Sequence, residues 1–142
     1  MKKGFTLIEL ILTISIIIII LSVGIYKSSI VSDYEALKSM DELFENLRYS
    51  RNLAISQKNS SKITFFEDNS YEIKCNKFRE KYRLSQKIDM SMANDKYGRK
   101  SITFTKSGAP SYSNAQTITL RYGNKEYFIT IEPVTGKVNF KK

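Results

Sequence analysis

An α+β fold follows from three features of the sequence: an apolar run near the start, an amphipathic helical pattern after it, and short alternating segments between turn residues thereafter. They predict a long N-terminal α-helix, with a membrane-spanning first half and an amphipathic second half, packed on a C-terminal antiparallel β domain. The run from Phe5 to Tyr26, including "LILTISIIIIILSVGIY", is long enough to span the hydrocarbon core, which takes roughly 20 helical residues. Lys2 and Lys3 precede it, so the N-terminus is expected inside and the bulk of the chain outside. An ordinary secretory signal has a shorter apolar region followed by a small-residue cleavage site. Here "YKSSIVSDYEALKSM" follows and continues the helix.

In the second half of that helix, Leu37, Met40, Phe44 and Leu47 recur at steps of three and four, with Ala54 extending the stripe and Leu43 beside it. Lys38, Asp41, Glu42, Glu45 and Arg48 fall mostly on other faces. No proline occurs before residue 110, so one helix is expected from about Thr6 to about Gln57, roughly 75 to 80 Å at 1.5 Å per residue. Gly24 and the stretch from Ser28 to Asp33 are its weakest part, where a kink is expected.

From residue 59 the pattern turns to strands. "KITFF" and "YEIKC" flank "EDNS", a hairpin near residues 62–75, and a third strand is read in "KYRLSQKIDM". "SITFT", "TITLRY" and "EYFITIE" are further strands, the last two joined by Gly123 and Asn124, a tight-turn signal. Pro133 and Gly136 set off a final strand, "KVNF". Residues 76–100 follow no recognised motif. The organisation is therefore a short basic segment, 1–4, then 5–26 apolar helix, 27–58 amphipathic continuation and 59–142 β-rich domain.

The chain has 142 residues and no histidine, which removes Ser-His-Asp and Cys-His nucleophile pairs and the commonest transition-metal ligand. Cys75 is alone, so no intrachain disulfide or thiolate cluster forms, and it reads as a small residue on a strand. Asn94 and Asp95 in "MANDKYGRK" supply too few oxygen ligands for calcium and read as a turn. No enzymatic activity, cofactor or metal is expected.

Glu9, in "KKGFTLIEL" (residues 2–10), is a carboxylate at the head of the apolar run, where a charge inside the bilayer costs several kcal/mol. The motif resembles the class III signal of type IV prepilins and type II secretion pseudopilins. The resemblance implies that a prepilin peptidase cuts between Gly4 and Phe5 and N-methylates Phe5. It implies, too, that Glu9 pairs with an N-terminal ammonium, in that family ascribed to a neighbouring subunit, and so sets the register of assembly. A carboxylate near a helix N-terminus is also favoured by the macrodipole.

The C-terminal half, "LRYSRNLAISQKNSSKITF" and then "ITFTKSGAPSYSNAQTITLRYGNKEYFITIEPVTGKVNF", resembles the GspH/FimT group of minor pseudopilins. In this pilin-like pattern Phe104 and Gly108 lie in the strand and turn ahead of the hairpin, and Gly136 opens the last strand. The chain lacks the membrane-proximal proline and C-terminal disulfide common in major pilins, which favours a minor subunit. The implied partners are prepilin peptidase, other pilins or pseudopilins, assembly platform proteins and, before assembly, the inner or cytoplasmic membrane. The implied location is a single-pass cytoplasmic membrane protein that becomes a filament subunit at the cell envelope or outside it. Type IV pilus, type II secretion and competence machines all use such subunits.

The net charge is +9, and without Lys2 and Lys3 there are still 21 basic against 14 acidic side chains. Basic residues recur between Lys74 and Lys87 and at Arg121, Lys125, Lys137, Lys141 and Lys142, with Tyr82, Tyr97, Tyr122 and Tyr127 nearby. One alternative reading is therefore a DNA-binding minor pilin of a DNA-uptake pilus, with Arg121, Lys125, Lys137, Lys141 and Lys142 as the candidate contacts. Adsorption to anionic cell-wall polymers explains the same charge. A third reading is a single-span anchored external domain.

Overall fold

The helix α1 runs Leu7–Ser56 and is followed by eight strands, β1 Ser61–Phe65, β2 Ser70–Cys75, β3 Phe78–Arg83, β4 Asp89–Ser91, β5 Ser101–Phe104, β6 Thr117–Tyr122, β7 Lys125–Ile131 and β8 Val138–Lys141. This computed structural model describes residues 6–95, 98–111 and 115–141, with the backbone alone for 23–30. The chain divides into two units, Met1–Glu35 and Ala36–Lys142.

In the first unit the described apolar side chains from Leu7 to Leu21 stand 48 to 77% exposed. The polar side chains among them are satisfied by the helix itself. Thr13 Oγ1 donates to the Leu10 carbonyl at 2.9 Å, Ser15 Oγ to Ile11 at 2.8 Å and Ser22 Oγ to Ile18 at 2.7 Å. Among the described residues no helix is long and apolar enough to cross a membrane. The apolar run of the sequence continues through Tyr26, beyond the side chains described. The expected weak stretch, Ser28 to Asp33, and Gly24 are helical in backbone.

The second unit opens on the buried seam of the helix: Ala36, Met40, Leu43, Leu47, Ser50 and Ala54, at alternating steps of four and three. Leu43 therefore lies in the seam rather than beside it. Leu37, assigned to the stripe from sequence, is 41% exposed. The two positions are six apart, about 120° from eclipsing each other at 3.6 residues per turn, so both cannot centre on one narrow face. The helix ends in a Schellman arrangement. Lys58 takes a φ of 50°, its N–H donates to the Ile55 carbonyl at 3.3 Å, and the Asn59 N–H reaches Ala54 at 3.2 Å.

The strands form two antiparallel sheets of four, in the orders β3-β2-β1-β5 and β4-β6-β7-β8. Alternation sends Ile63, Phe65, Tyr71, Ile73, Ile102 and Phe104 from the first sheet, and Ile118, Leu120, Tyr127, Ile129, Ile131 and Val138 from the second, into one core with the helix seam. The expected hairpin is β1–β2, with Phe65 opposite Tyr71. The Gly123–Asn124 turn joins β6 to β7, Gly123 having a φ of 56°.

The region read as one strand, "KYRLSQKIDM", holds parts of two, in different sheets. Strand β3 starts earlier, at Phe78, because Asn76 takes a φ of 53° and the chain doubles back on β2. Between them, Leu84 and Ile88 are buried. The Asn69 side chain donates to the carbonyls of Ser85 at 3.4 Å and Ile88 at 3.2 Å, and the Asn69 backbone carbonyl accepts the Leu84 N–H at 2.7 Å. One turn asparagine thus fixes the passage from the first sheet to the second.

Candidate functional site

The start of α1 is closed by a reciprocal pair. Thr6 N–H and Thr6 Oγ1 each donate to Glu9 Oε2 at 2.9 Å, and the Glu9 N–H approaches Thr6 Oγ1 at 3.4 Å. This is a capping box, with threonine at the N-cap and glutamate three residues on, and it satisfies N–H groups that have no partner inside the helix. The signal, Thr-x-x-Glu ahead of an apolar run, is present in the sequence, but there Glu9 is read against the helix dipole and an N-terminal ammonium and not against Thr6. Among the described residues the bonds to Glu9 fall on Oε2, which leaves Oε1 open to another donor. Gly4 and Phe5 lie outside the described residues.

The candidate contacts Arg121, Lys125, Lys137 and Lys141 fall on or beside different parts of the second sheet. Arg121 and Lys141 project from its solvent face. Arg121 Nε is held by Glu126 Oε1 at 2.7 Å. Lys125 is exposed at the β6–β7 turn, and Lys137, before β8, lines a small cleft with Arg48 and Arg51. Lys142 lies outside the described residues. The aromatic rings expected to stack with a ligand face the other way: Tyr127 is buried, Tyr122 packs half-buried on the core, and Tyr82 stacks on Tyr71 at 5.4 Å. Strand alternation is the reason, since these tyrosines sit on inward positions. Tyr97 lies outside the described residues.

Asp95 closes a turn. Its carboxylate, only 8% exposed, accepts the Arg99 N–H at 2.9 Å and the Ser101 hydroxyl at 2.7 Å, and lies 3.8 Å from Lys62 Nζ. Cys75 is buried in β2, where desolvation pushes its thiol up. Its Sγ lies 3.6 Å from Gln57 Oε1.

Gly108 and Gly136 come together at one junction, Gly108 in the turn that follows Phe104 of β5. Phe104 is fully buried, and Gly108, at a φ of 82°, packs beneath Ile55 of α1. The neighbouring turn, residues 132–137, is tied to the same helix by Arg51, whose Nε and Nη2 donate to the Thr135 carbonyl at 3.1 and 3.0 Å.

Comparison with protein-family models and with curated proteins gives no match. Among solved structures the chain is similar to the type IV minor pilin FimU of Pseudomonas aeruginosa strain PAO1. In one crystal form the TM-score is 0.63 at 17% identity, covering 78% of this chain and 90% of that one. A second crystal form gives 0.61 at 17% identity, covering 75% and 92%. A helix followed by antiparallel sheets is thus shared over nearly the whole length of that pilin, and the chain has the fold of a type IV minor pilin.

Proposed function

We propose that the chain is a minor pilin or pseudopilin, a structural subunit rather than an enzyme. It is made as a prepilin with residues 1–4 as leader. Prepilin peptidase cuts between Gly4 and Phe5 and methylates Phe5. Residues 5–26 hold it in the cytoplasmic membrane with the N-terminus inside, until assembly platform proteins draw it, with other pilins, into a type IV pilus or type II secretion-like filament.

The observation that carries this reading is the position of the capping box. Thr6 begins the helix one residue after the proposed cut, so processing leaves a single residue ahead of an already closed first turn. Glu9 Oε2 is engaged by Thr6, and Oε1 remains for the ammonium of a neighbouring subunit. That pairing spares both charges an unpartnered place in an apolar setting. The exposed side chains from Leu7 to Leu21 need a second covering, lipid first and the helices of other subunits afterwards. The internal hydrogen bonds of Thr13, Ser15 and Ser22 lower the cost of both. Contacts between unlike faces of successive subunits give an open helical assembly rather than a closed ring.

The test is mass spectrometry of the N-terminal peptide from membranes and from the sheared surface fraction of the native host. A peptide beginning at methylated Phe5 in the sheared fraction is expected. An intact Met1 in membranes, with nothing in the shear, overturns the proposal. Glu9→Gln keeps an acceptor for Thr6 and removes the charge. Loss of that variant from filaments assigns the role to charge pairing, whereas wild-type incorporation reduces Glu9 to a helix cap.

A further inference from the structure

A cleft of about 730 Å³ lies at the end of the first sheet, between the β1–β2 turn and the residues that lead into β5. Hydrogen bonds within the chain fix both walls. The Phe65 N–H donates to the Lys100 carbonyl at 2.9 Å, Asp68 accepts the Ser70 N–H at 3.1 Å, and Asp95 holds Arg99 and Ser101. On the neighbouring solvent face Lys62, Lys74 and Arg79 share one row across β1, β2 and β3, a charge of one sign. The cleft is different. Its bases are Lys81, Arg99 and Lys100, and its acids Glu67 and Asp68. Lys81 lies 3.5 Å from Asp68, and Arg99 lies 3.6 Å from Asp95, which Lys62 shares at 3.8 Å. The lining is therefore close to neutral, with much of its charge already paired.

That balance selects the ligand. A polyanion would meet Glu67 and Asp68, a polycation would meet the three bases, and an apolar molecule would strip water from all five. A neutral ligand with many hydroxyls fits, because each hydroxyl donates one hydrogen bond and accepts others. Side chains held in ion pairs keep their remaining lone pairs and N–H groups in fixed places for it. Thr64 and Asn94 add a hydroxyl and an amide to the lining. The cleft also holds an aromatic ring: Phe66 is 40% exposed even with Lys81 Nζ 5.0 Å from its centre. The face of such a ring is partly negative and attracts the C–H groups that line one side of a sugar ring. The volume is that of an ordinary small-molecule site.

We propose that this cleft binds a neutral saccharide chain, with one sugar ring against Phe66 and its hydroxyls on the polar side chains of the two walls. The site lies wholly within the second unit, and it does not depend on how the N-terminus is processed.

The test is saturation-transfer difference NMR, with titration calorimetry for affinities, on the full chain in a detergent without a sugar headgroup. The probes are cellohexaose, mannohexaose and the hexamer of N-acetylglucosamine, with hexagalacturonate as the anionic comparison. Transfer to at least one neutral probe is expected, strongest at the C–H protons on one face of a ring. Its affinity should stay flat between about 50 and 200 mM salt, because a neutral ligand releases no counterions. Phe66→Ala should lose about tenfold in affinity, the effect of one aromatic contact. Lys100→Ala should lose about two- to tenfold, the effect of one hydrogen bond. Near-ultraviolet circular dichroism confirms that each variant is folded. No transfer to any of the three neutral probes overturns the proposal. Wild-type affinity in folded Phe66→Ala or Lys100→Ala overturns the cleft as the site. Preference for hexagalacturonate, weakening as salt rises, overturns the neutral assignment and leaves a surface for anionic polymers.

Discussion

A Cβ on Gly136 would lie 1.9 Å from the carbonyl oxygen of Gly108. The turn after β5 and the turn before β8 meet backbone to backbone at this point, next to the end of α1. No side chain other than hydrogen fits there. Gly136 also has a φ of 65°, a conformation that L-residues adopt at a cost of roughly 1 to 2 kcal/mol. Gly123, at a φ of 56°, has nothing within 4 Å of the same position. Gly136→Ala is therefore expected to destabilise by at least twice as much as Gly123→Ala, which should cost about 1 kcal/mol. Urea unfolding of both variants checks this, and equal losses would mean that the glycine contact relaxes freely.

Ser50 in the helix seam and Ser61 at the start of β1 share a hydrogen bond of 2.7 Å, and both are fully buried. Replacing one leaves the other hydroxyl in the core without this partner. Ser50→Ala and Ser61→Ala should each cost about 1 to 3 kcal/mol, and the double variant clearly less than their sum. A double-mutant cycle by chemical denaturation measures the coupling, and additive losses would show that the pair carries none.

Leu43 and Leu37 separate the buried seam from the stripe expected from sequence. Leu43→Ala should cost about 2 to 5 kcal/mol, as a large-to-small change in a closed core does. Leu37→Ala, at a side chain 41% exposed, should stay within about 1 kcal/mol. Comparable effects would place Leu37 in the seam after all.

Tyr82 donates its hydroxyl to Glu80 Oε2, and this bond, with burial behind it, pushes its pKa up to about 12 from an ordinary 10.0. The folded state then holds this proton more tightly than the unfolded chain. Its contribution is fully present below about pH 10 and is lost as pH rises through about 12. Burial raises Tyr71 further still, despite the hydrogen bond from Asn46 Nδ2 at 2.8 Å. Absorbance titration near 295 nm should show Tyr82 among the last tyrosines to ionise, and Glu80→Gln should bring it down. An unchanged titration in that variant would remove Glu80 as the cause.

Much of the architecture was legible along the chain because the signals are local. Apolar continuity, the three- and four-residue recurrence after it, and alternation between turns depend on neighbours a few positions apart. They located α1 within a residue or so at each end and found six of the eight strands. The splitting of residues 81–90 between two sheets was not legible. It depends on Asn69, whose side chain reaches carbonyls sixteen and nineteen positions away. The same limit applied to the basic residues. Their number was plain in the composition, but the side of a sheet on which each one stands is set by register.

The sequence by itself determined a long helix with an apolar first part, a Thr-x-x-Glu start to it, and an antiparallel β domain without the residues for familiar nucleophilic chemistry. Each is a matter of local propensity, periodicity or composition. Only the tertiary structure decided that Leu43 rather than Leu37 enters the core, that Gly108 and Gly136 touch, and that Lys62, Lys74 and Arg79 share a row. Those relations join residues far apart in the chain, and they exist only once the strands have paired and the core has closed.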